Sequence, residues 1–163
     1  MQRRPHVSWP LARAVERLLA DPGPGVSRPD AVREVAALRA AARRAGDLAV
    51  EHSGLGGAAA AEVVVVDRPG WSRRAAVMAD DLLGRLPLEE QPAGPRRTLA
   101  GIGYGLLAGI SFVAMGRGLL GQYDPWSERL MLVAPSIVEV RRGRGLDADD
   151  LRLWVSLHEQ THA

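Results

Sequence analysis

The sequence has no cysteine, no lysine and only seven aromatic residues among its 163 positions. Without cysteine there is no disulfide framework, no thiolate nucleophile and no zinc site of the cysteine type. A bound metal ion would therefore have to be held by His, Asp or Glu side chains. The remaining composition, 47% hydrophobic and 25% charged, is that of a globular domain rather than of a disordered tail or a fibrous repeat.

A strong charge of one sign is also absent. The isoelectric point is about 9.9, but the formal net charge is only +2, from 21 arginines against 19 acidic residues. Without lysine, almost nothing titrates between neutrality and the pKa of arginine, so a small excess of arginine keeps the protein positive to high pH. Acidic residues separate most of the arginine pairs and no long basic run forms, so we expect no nucleic-acid partner.

The first residues lack the apolar run of a signal peptide. Residues 1–5 are basic, and Arg13, Glu16 and Arg17 interrupt the apolar residues that follow. We therefore expect a cytoplasmic protein. A chain of this length buries roughly 70% of the surface that its unfolded form exposes. With no internal repeat visible, we expect a single domain over residues 1–163.

Apolar periodicity predicts the α+β class, predominantly α-helical, with a few short strands before the last helix. Ser27 is a suitable N-cap for the second helix, and Gly46 is expected to close it. The valine run at 63–66 is apolar on both faces, so we expect an internal strand there. The predicted elements are helices over residues 10–20, 28–44, 71–86, 98 to Gly118 or Gly121, and 148–163, strands over 63–66, 130–133 and 137–140, a turn at 122–125, and connections over 54–61 and 87–95.

Residues 98–116 carry no charge. Nineteen uncharged residues reach the length of a membrane span, and Gly101, Gly105 and Gly109 repeat the spacing of packed membrane helices. The alternative is a buried helix of a water-soluble domain. We favour the buried helix, because five glycines and three polar residues lower the hydropathy of the segment, and we expect no stable membrane insertion.

The last predicted helix contains the motif HExxH, formed by His158, Glu159 and His162. Two imidazoles four residues apart emerge on one helix face, where both can reach one zinc ion. Glu159 lies on the adjoining face, where it can take a proton from a zinc-bound water instead of binding the metal. The alternative is an ordinary helix whose histidines bind no metal.

Further candidate residues lie upstream. Tyr123 is a possible transition-state stabiliser, since a phenolic hydroxyl can donate to a developing oxyanion. The interpretation we favour is that its amphipathic ring anchors a turn. Strand 130–134 can supply an edge for an extended peptide or can be buried. No spacing recommends an upstream third zinc ligand, for which the candidates are His6, Glu51, His52, Asp124 and Glu128.

Four segments of the chain resemble one family in order and spacing. The family is that of the zincin-like metallopeptidases associated with deazaflavin-coenzyme biosynthesis in actinobacteria, and the similarity extends over nearly the whole chain. It implies a mostly helical, zincin-like fold with His158 and His162 as ligands of a zinc cofactor and Glu159 as the base. We expect no further bound cofactor. The segments are residues 66–71, 120–125, 130–135 and 151–162.

The resemblance also shows one departure. The chain stops one residue after His162, whereas the family continues well beyond this helix and zincins draw their third ligand from downstream. The chain is therefore expected to be the amino-terminal part of a longer zinc hydrolase, inactive by itself. The full protein would cleave an amide bond of a peptide substrate through attack of a zinc-bound water assisted by Glu159. The alternatives are a zinc amidohydrolase acting on a small metabolite and a catalytically silent helical binding or membrane-associated module.

Overall fold

A computed structural model describes residues 6–53, 62–86 and 94–162. Helices dominate and the strands form one small sheet, which confirms the predicted α+β class. The elements are α1 (Trp9–Leu19), α2 (Arg28–Ser53), β1 (Glu62–Val66), α3 (Arg68–Arg85), α4 (Pro95–Gly118), β2 (Gly121–Asp124), β3 (Arg129–Val133), α5 (Ala134–Arg144) and α6 (Ala148–Gln160).

The chain divides into two compact units. The sheet unit comprises residues 22–68 and 118–163, and the α4 unit comprises residues 1–21 and 69–117. The single domain expected from the sequence stays a prediction. The predicted connection over 54–61 lies outside the described residues, as do residues 87–93 of the connection predicted over 87–95. Its last residue, Pro95, begins α4.

The sheet has the strand order β1-β3-β2. The first strand is parallel to β3, and β2 is antiparallel to it with Gly121 opposite Leu132. Residues 130–133 are fully buried in the central strand, as a continuous apolar run suggests. The prediction that the valine run is internal is wrong, because β1 pairs only with β3 in the described sheet. A run of valines suits an edge strand equally well when a helix covers its face.

The core of the sheet unit lies between the sheet and three helices, α2, α5 and α6, of which α2 and α6 also pack along each other. Arg152 donates to both carboxylate oxygens of Glu34, at 2.9 and 2.6 Å, and the side-chain amide of Gln160 donates to the carbonyl of Ala42 at 3.2 Å. Both contacts join residues 118 positions apart, so the two helices run parallel. Their apolar faces contribute Leu38, Ala42, Leu151 and Val155 to the core.

Three local predictions are corrected. Helix α2 continues through the buried Gly46 to Ser53, because helix packing tolerates a glycine that local propensity disfavours. The segment predicted as a strand at 137–140 lies in α5, where Pro135 occupies the first turn, a position that suits proline. Residues 122–124 of the turn predicted at 122–125 belong to β2, and the turn itself begins at Pro125. The chain turns after Asp124, whose carboxylate accepts from the backbone amide of Trp126 at 3.0 Å.

The α4 unit is organised by a stripe of glycines. A methyl group at Gly105 would lie 2.6 Å from the carbonyl oxygen of Ser8, and one at Gly109 would lie 2.8 Å from that of Ala12, so these glycines permit close packing against α1. The ring of Phe112 stacks on Trp9 with the centroids 6.4 Å apart. This stripe is the buried side of α4.

The opposite face of α4 is exposed, which corrects the prediction of a buried helix. Only 22% of its most apolar 18-residue window is buried, and by length and composition the helix is able to cross a membrane. The prediction failed because glycines form the packed face of α4, so its large apolar side chains lie on the other, exposed face. The exposed side chains include Leu99, Ile102, Tyr104, Leu106, Leu107, Ile110 and Met115.

Candidate metal centre

The HExxH motif lies at the carboxyl end of α6. The helix begins as predicted, with the carboxylate of Asp147 accepting from the backbone amides of Asp149 at 2.8 Å and Asp150 at 3.0 Å. These hydrogen bonds lower the pKa of Asp147. At the other end, the helix stops at Gln160, and the backbone amide of His162 donates to the carbonyl of Glu159 at 3.2 Å.

The two histidines of the motif are in contact. The ring centroids of His158 and His162 are 5.3 Å apart, and the rings are nearly perpendicular. Two imidazoles sharing a tetrahedral zinc ion at about 2.0–2.1 Å have centroids roughly 5 Å apart, so this pair fits one zinc ion. Both side chains are exposed and thus accessible to a metal ion.

The pair continues the buried stripe of α6. Leu151, Val155, His158 and His162 follow one another at steps of four, three and four residues, which is the spacing of a single helix face. The first two belong to the core, whereas the histidines are exposed. The candidate centre therefore lies where the apolar face of the helix reaches solvent.

Glu159 is packed against the edge strand β2. A methyl group at Gly121 would lie 2.6 Å from Cγ and 3.0 Å from Oε1 of Glu159, so the side chain rests directly on the glycine. Burial raises the pKa of Glu159, opposed by the charges of His158 and His162. A carboxyl group with a raised pKa beside a candidate metal pair is suited to accepting and releasing a proton.

Tyr123 lies two residues after Gly121 in β2. Because side chains alternate along a strand, its side chain is on the face of β2 that meets Glu159. Its ring is half-buried. The edge role considered for strand 130–134 is corrected, because β3 is central and β2 is the edge strand near the motif.

None of the five upstream candidates for a third ligand, all of which the structure describes, joins the pair in a group that could hold a metal ion. Among residues 6–53, 62–86 and 94–162, no group of three His, Asp or Glu side chains is arranged to hold a metal ion. The parallel register of α2 and α6 explains this for His52, which lies eight residues beyond the position matching His162, about 12 Å along the helix axis. Asp124 accepts from Trp126 and Ser127 in its own turn.

Two residues of this region were missed by sequence reasoning. The indole of Trp154 stacks on the ring of His158, with centroids 5.6 Å apart and an interplanar angle of 15°. Its place one helical turn before His158 was a usable signal. No feature of the sequence indicated that Gly121 contacts Glu159, because this contact depends on how β2 packs against α6.

Comparison with known proteins agrees with this architecture. A family model described as zincin-like metallopeptidase matches residues 7–163. A crystal structure from Chloroflexus aurantiacus, described as a candidate hydrolase with a novel fold, aligns with a TM-score of 0.59 and 24% identity, over 96% of this chain and 52% of that one. The chain thus spans about half the length of the solved protein, whose likeness shows the fold alone. No curated protein sequence matches significantly.

Proposed function

Because the chain belongs to the zincin-like metallopeptidase family, we propose that it carries the catalytic helix of a cytoplasmic zinc-dependent hydrolase that cleaves an amide bond of a peptide. His158 and His162 would hold the zinc ion and Glu159 would act as the general base. The observation that carries this proposal is the contact of the two imidazoles beside the half-buried carboxyl of Glu159.

The side chains of the motif have separate tasks in this proposal. Zinc, when bound, acts as a Lewis acid on the amide carbonyl and lowers the pKa of water. The carboxylate of Glu159 accepts the proton of the attacking water and passes it to the leaving nitrogen. The side chain of Glu159 occupies the space that Gly121, which has no side chain, leaves free beside β2. Tyr123, on the same face of β2, is proposed to donate its hydroxyl to the developing oxyanion.

We further propose that the chain is the amino-terminal part of a longer enzyme and belongs to the branch associated with deazaflavin-coenzyme biosynthesis in actinobacteria. Two histidines leave a tetrahedral zinc site incomplete, and the described residues supply no third ligand. The solved structure with the similar fold is about twice as long as its matched part. We expect the 163-residue chain to bind zinc weakly and to show no hydrolysis by itself.

Zinc binding tests the proposal directly. The zinc affinity of the chain, and of a chain extended at its carboxyl end, can be measured by competition with a chromophoric chelator. His158→Ala and His162→Ala should each lower the affinity of the extended chain at least tenfold, because each removes one ligand. His52→Ala, a change at an exposed histidine of α2, is the matched control and should leave it unchanged. Equal affinity in all four proteins would refute the proposed centre.

A further inference from the structure

The sheet unit contains an open cleft of about 600 Å³ beside α6. Its floor is formed by Leu120, Val140 and Leu151, which pack on or belong to the core. Two large apolar side chains, Leu146 and Trp154, line its mouth. Its volume lies in the range of small-molecule binding sites, which are concave and mostly apolar.

Large apolar side chains at the mouth of the cleft are exposed to water, which is unfavourable. Trp154 is 59% exposed and Leu146 is 42% exposed. Covering an indole and a leucine that share one concave surface is favourable, at roughly 25 cal/mol per Å² of apolar area removed from water. Neighbouring exposed apolar groups around a pocket are typical of a binding site rather than of an ordinary surface.

Trp154 connects the cleft with the histidine pair. The indole lines the cleft and also stacks on His158. Along a helix axis the two residues are about 6 Å apart, and an extended peptide advances about 3.3 Å per residue. A side chain one or two residues from an amide held at His158 can therefore reach the cleft.

We propose that this cleft binds an apolar side chain of the substrate, aromatic or long aliphatic, with Trp154 as the surface on which that side chain packs. The identity of the ligand as a substrate rests on the proposed hydrolase function. The binding itself requires only the cleft and no metal ion.

The charges at the rim favour an uncharged or cationic group over an acidic one. The charged residues that line the cleft are two acids, Asp147 and Asp150, and one base, Arg144. The carboxylate of Asp147 is engaged with two backbone amides of α6, which keeps its charge at the rim. A carboxylate entering the cleft would meet this acidic pair and lose its hydration over an apolar floor.

The cleft is held in shape by the short connection between α5 and α6. Gly145 ends α5 in the left-handed region with φ of 61°, and the backbone amides of Gly145 and Leu146 both donate to the carbonyl of Arg141. Asp147 then caps α6 at once. Leu146 is thus fixed between two helix caps, so little conformational entropy is lost at this wall of the cleft when a ligand binds.

The test measures binding of small amides to the isotopically labelled, metal-free protein by NMR. N-acetyl-L-phenylalaninamide and N-acetyl-L-leucinamide should shift the signals of Trp154 and Leu146. N-acetylglycinamide and the corresponding glutamic acid amide should bind at least tenfold more weakly. Equal binding of all four probes, or shifts confined to residues away from the cleft, would overturn the proposal.

Variants separate the cleft from the rest of the surface. Trp154→Ala should weaken binding of the phenylalanine amide at least tenfold, and Trp154→Phe should retain most of it. Trp126→Ala is the matched control at another exposed tryptophan and should bind like the parent. Unchanged binding in Trp154→Ala would refute the assignment. Because no zinc is present, binding here together with failure of the zinc test would refute the hydrolase and leave the cleft assignment intact.

Discussion

Gly121 and Glu159 are packed so closely that one added methyl group at Gly121 would lie 2.6 Å from Cγ of Glu159. The edge strand β2 and the helix α6 therefore meet at a point where only glycine fits beside the carboxyl side chain. The position of Glu159, the proposed base, therefore depends on Gly121 having no side chain.

We expect Gly121→Ala to lower hydrolysis by the zinc-loaded extended protein at least tenfold while leaving its zinc affinity within about twofold. The new methyl group displaces the Glu159 side chain, and misplacement of a catalytic group by about 1 Å can cost a hundredfold in rate. Turnover of a fluorogenic peptide mixture and chelator competition would measure the two effects. Gly103→Ala, where an added Cβ meets nothing within 4 Å, is the control. Full activity in Gly121→Ala would show that the close packing does not position the base.

Glu159→Gln should retain zinc and lose hydrolysis by a factor of at least 100, since general base catalysis contributes typically 10²–10⁴-fold. The amide keeps the shape of the side chain but cannot accept the proton. His158→Ala should lose both zinc and activity. Metal analysis and turnover of each variant would decide the assignment, and an equal loss of zinc in both would show that Glu159 is a ligand instead of the base.

The ion pair between α2 and α6 should contribute strongly to the stability of the sheet unit. Both partners are nearly buried, with Arg152 13% and Glu34 12% exposed. We expect Arg152→Met to lower the free energy of unfolding by about 3 kcal/mol, because it leaves a nearly buried carboxylate unpaired. Urea denaturation would measure this. The double variant Glu34→Leu and Arg152→Met should recover much of the loss, and a double variant no more stable than the single one would contradict this explanation.

Two neighbouring glycines should respond to alanine in opposite ways. Gly145 has a positive φ of 61°, and Gly143 lies inside α5 with nothing within 4 Å of an added Cβ. Gly145→Ala should destabilise the protein by about 1 kcal/mol, because alanine is strained in the left-handed region. Gly143→Ala should stabilise it by about 0.5–1 kcal/mol through higher helix propensity. Thermal unfolding of both variants is the measurement, and a shift of the same sign in both would contradict the backbone argument.

Short-range signals predicted the elements that depend on neighbours in the chain. Asp147 marked the start of α6, and Ser27 marked that of α2, where its hydroxyl accepts from the backbone amide of Asp30 at 3.2 Å. Short-range signals failed at 137–140, where β-branched residues suggested a strand but Pro135 opens a helix. They also failed for α4, because composition does not reveal which side of a glycine-rich helix is packed.

The sequence alone determined the histidine pair, because residues four apart meet at a helix end, here across the turn that follows Gln160, wherever that helix is placed. It also determined the apolar stripe that leads to this pair. The tertiary structure decided the rest: it put Gly121 under Glu159, made β2 the edge strand, and opened the cleft beside Trp154. These features join residues far apart in the chain, and their distances follow from how strands and helices pack rather than from local spacing.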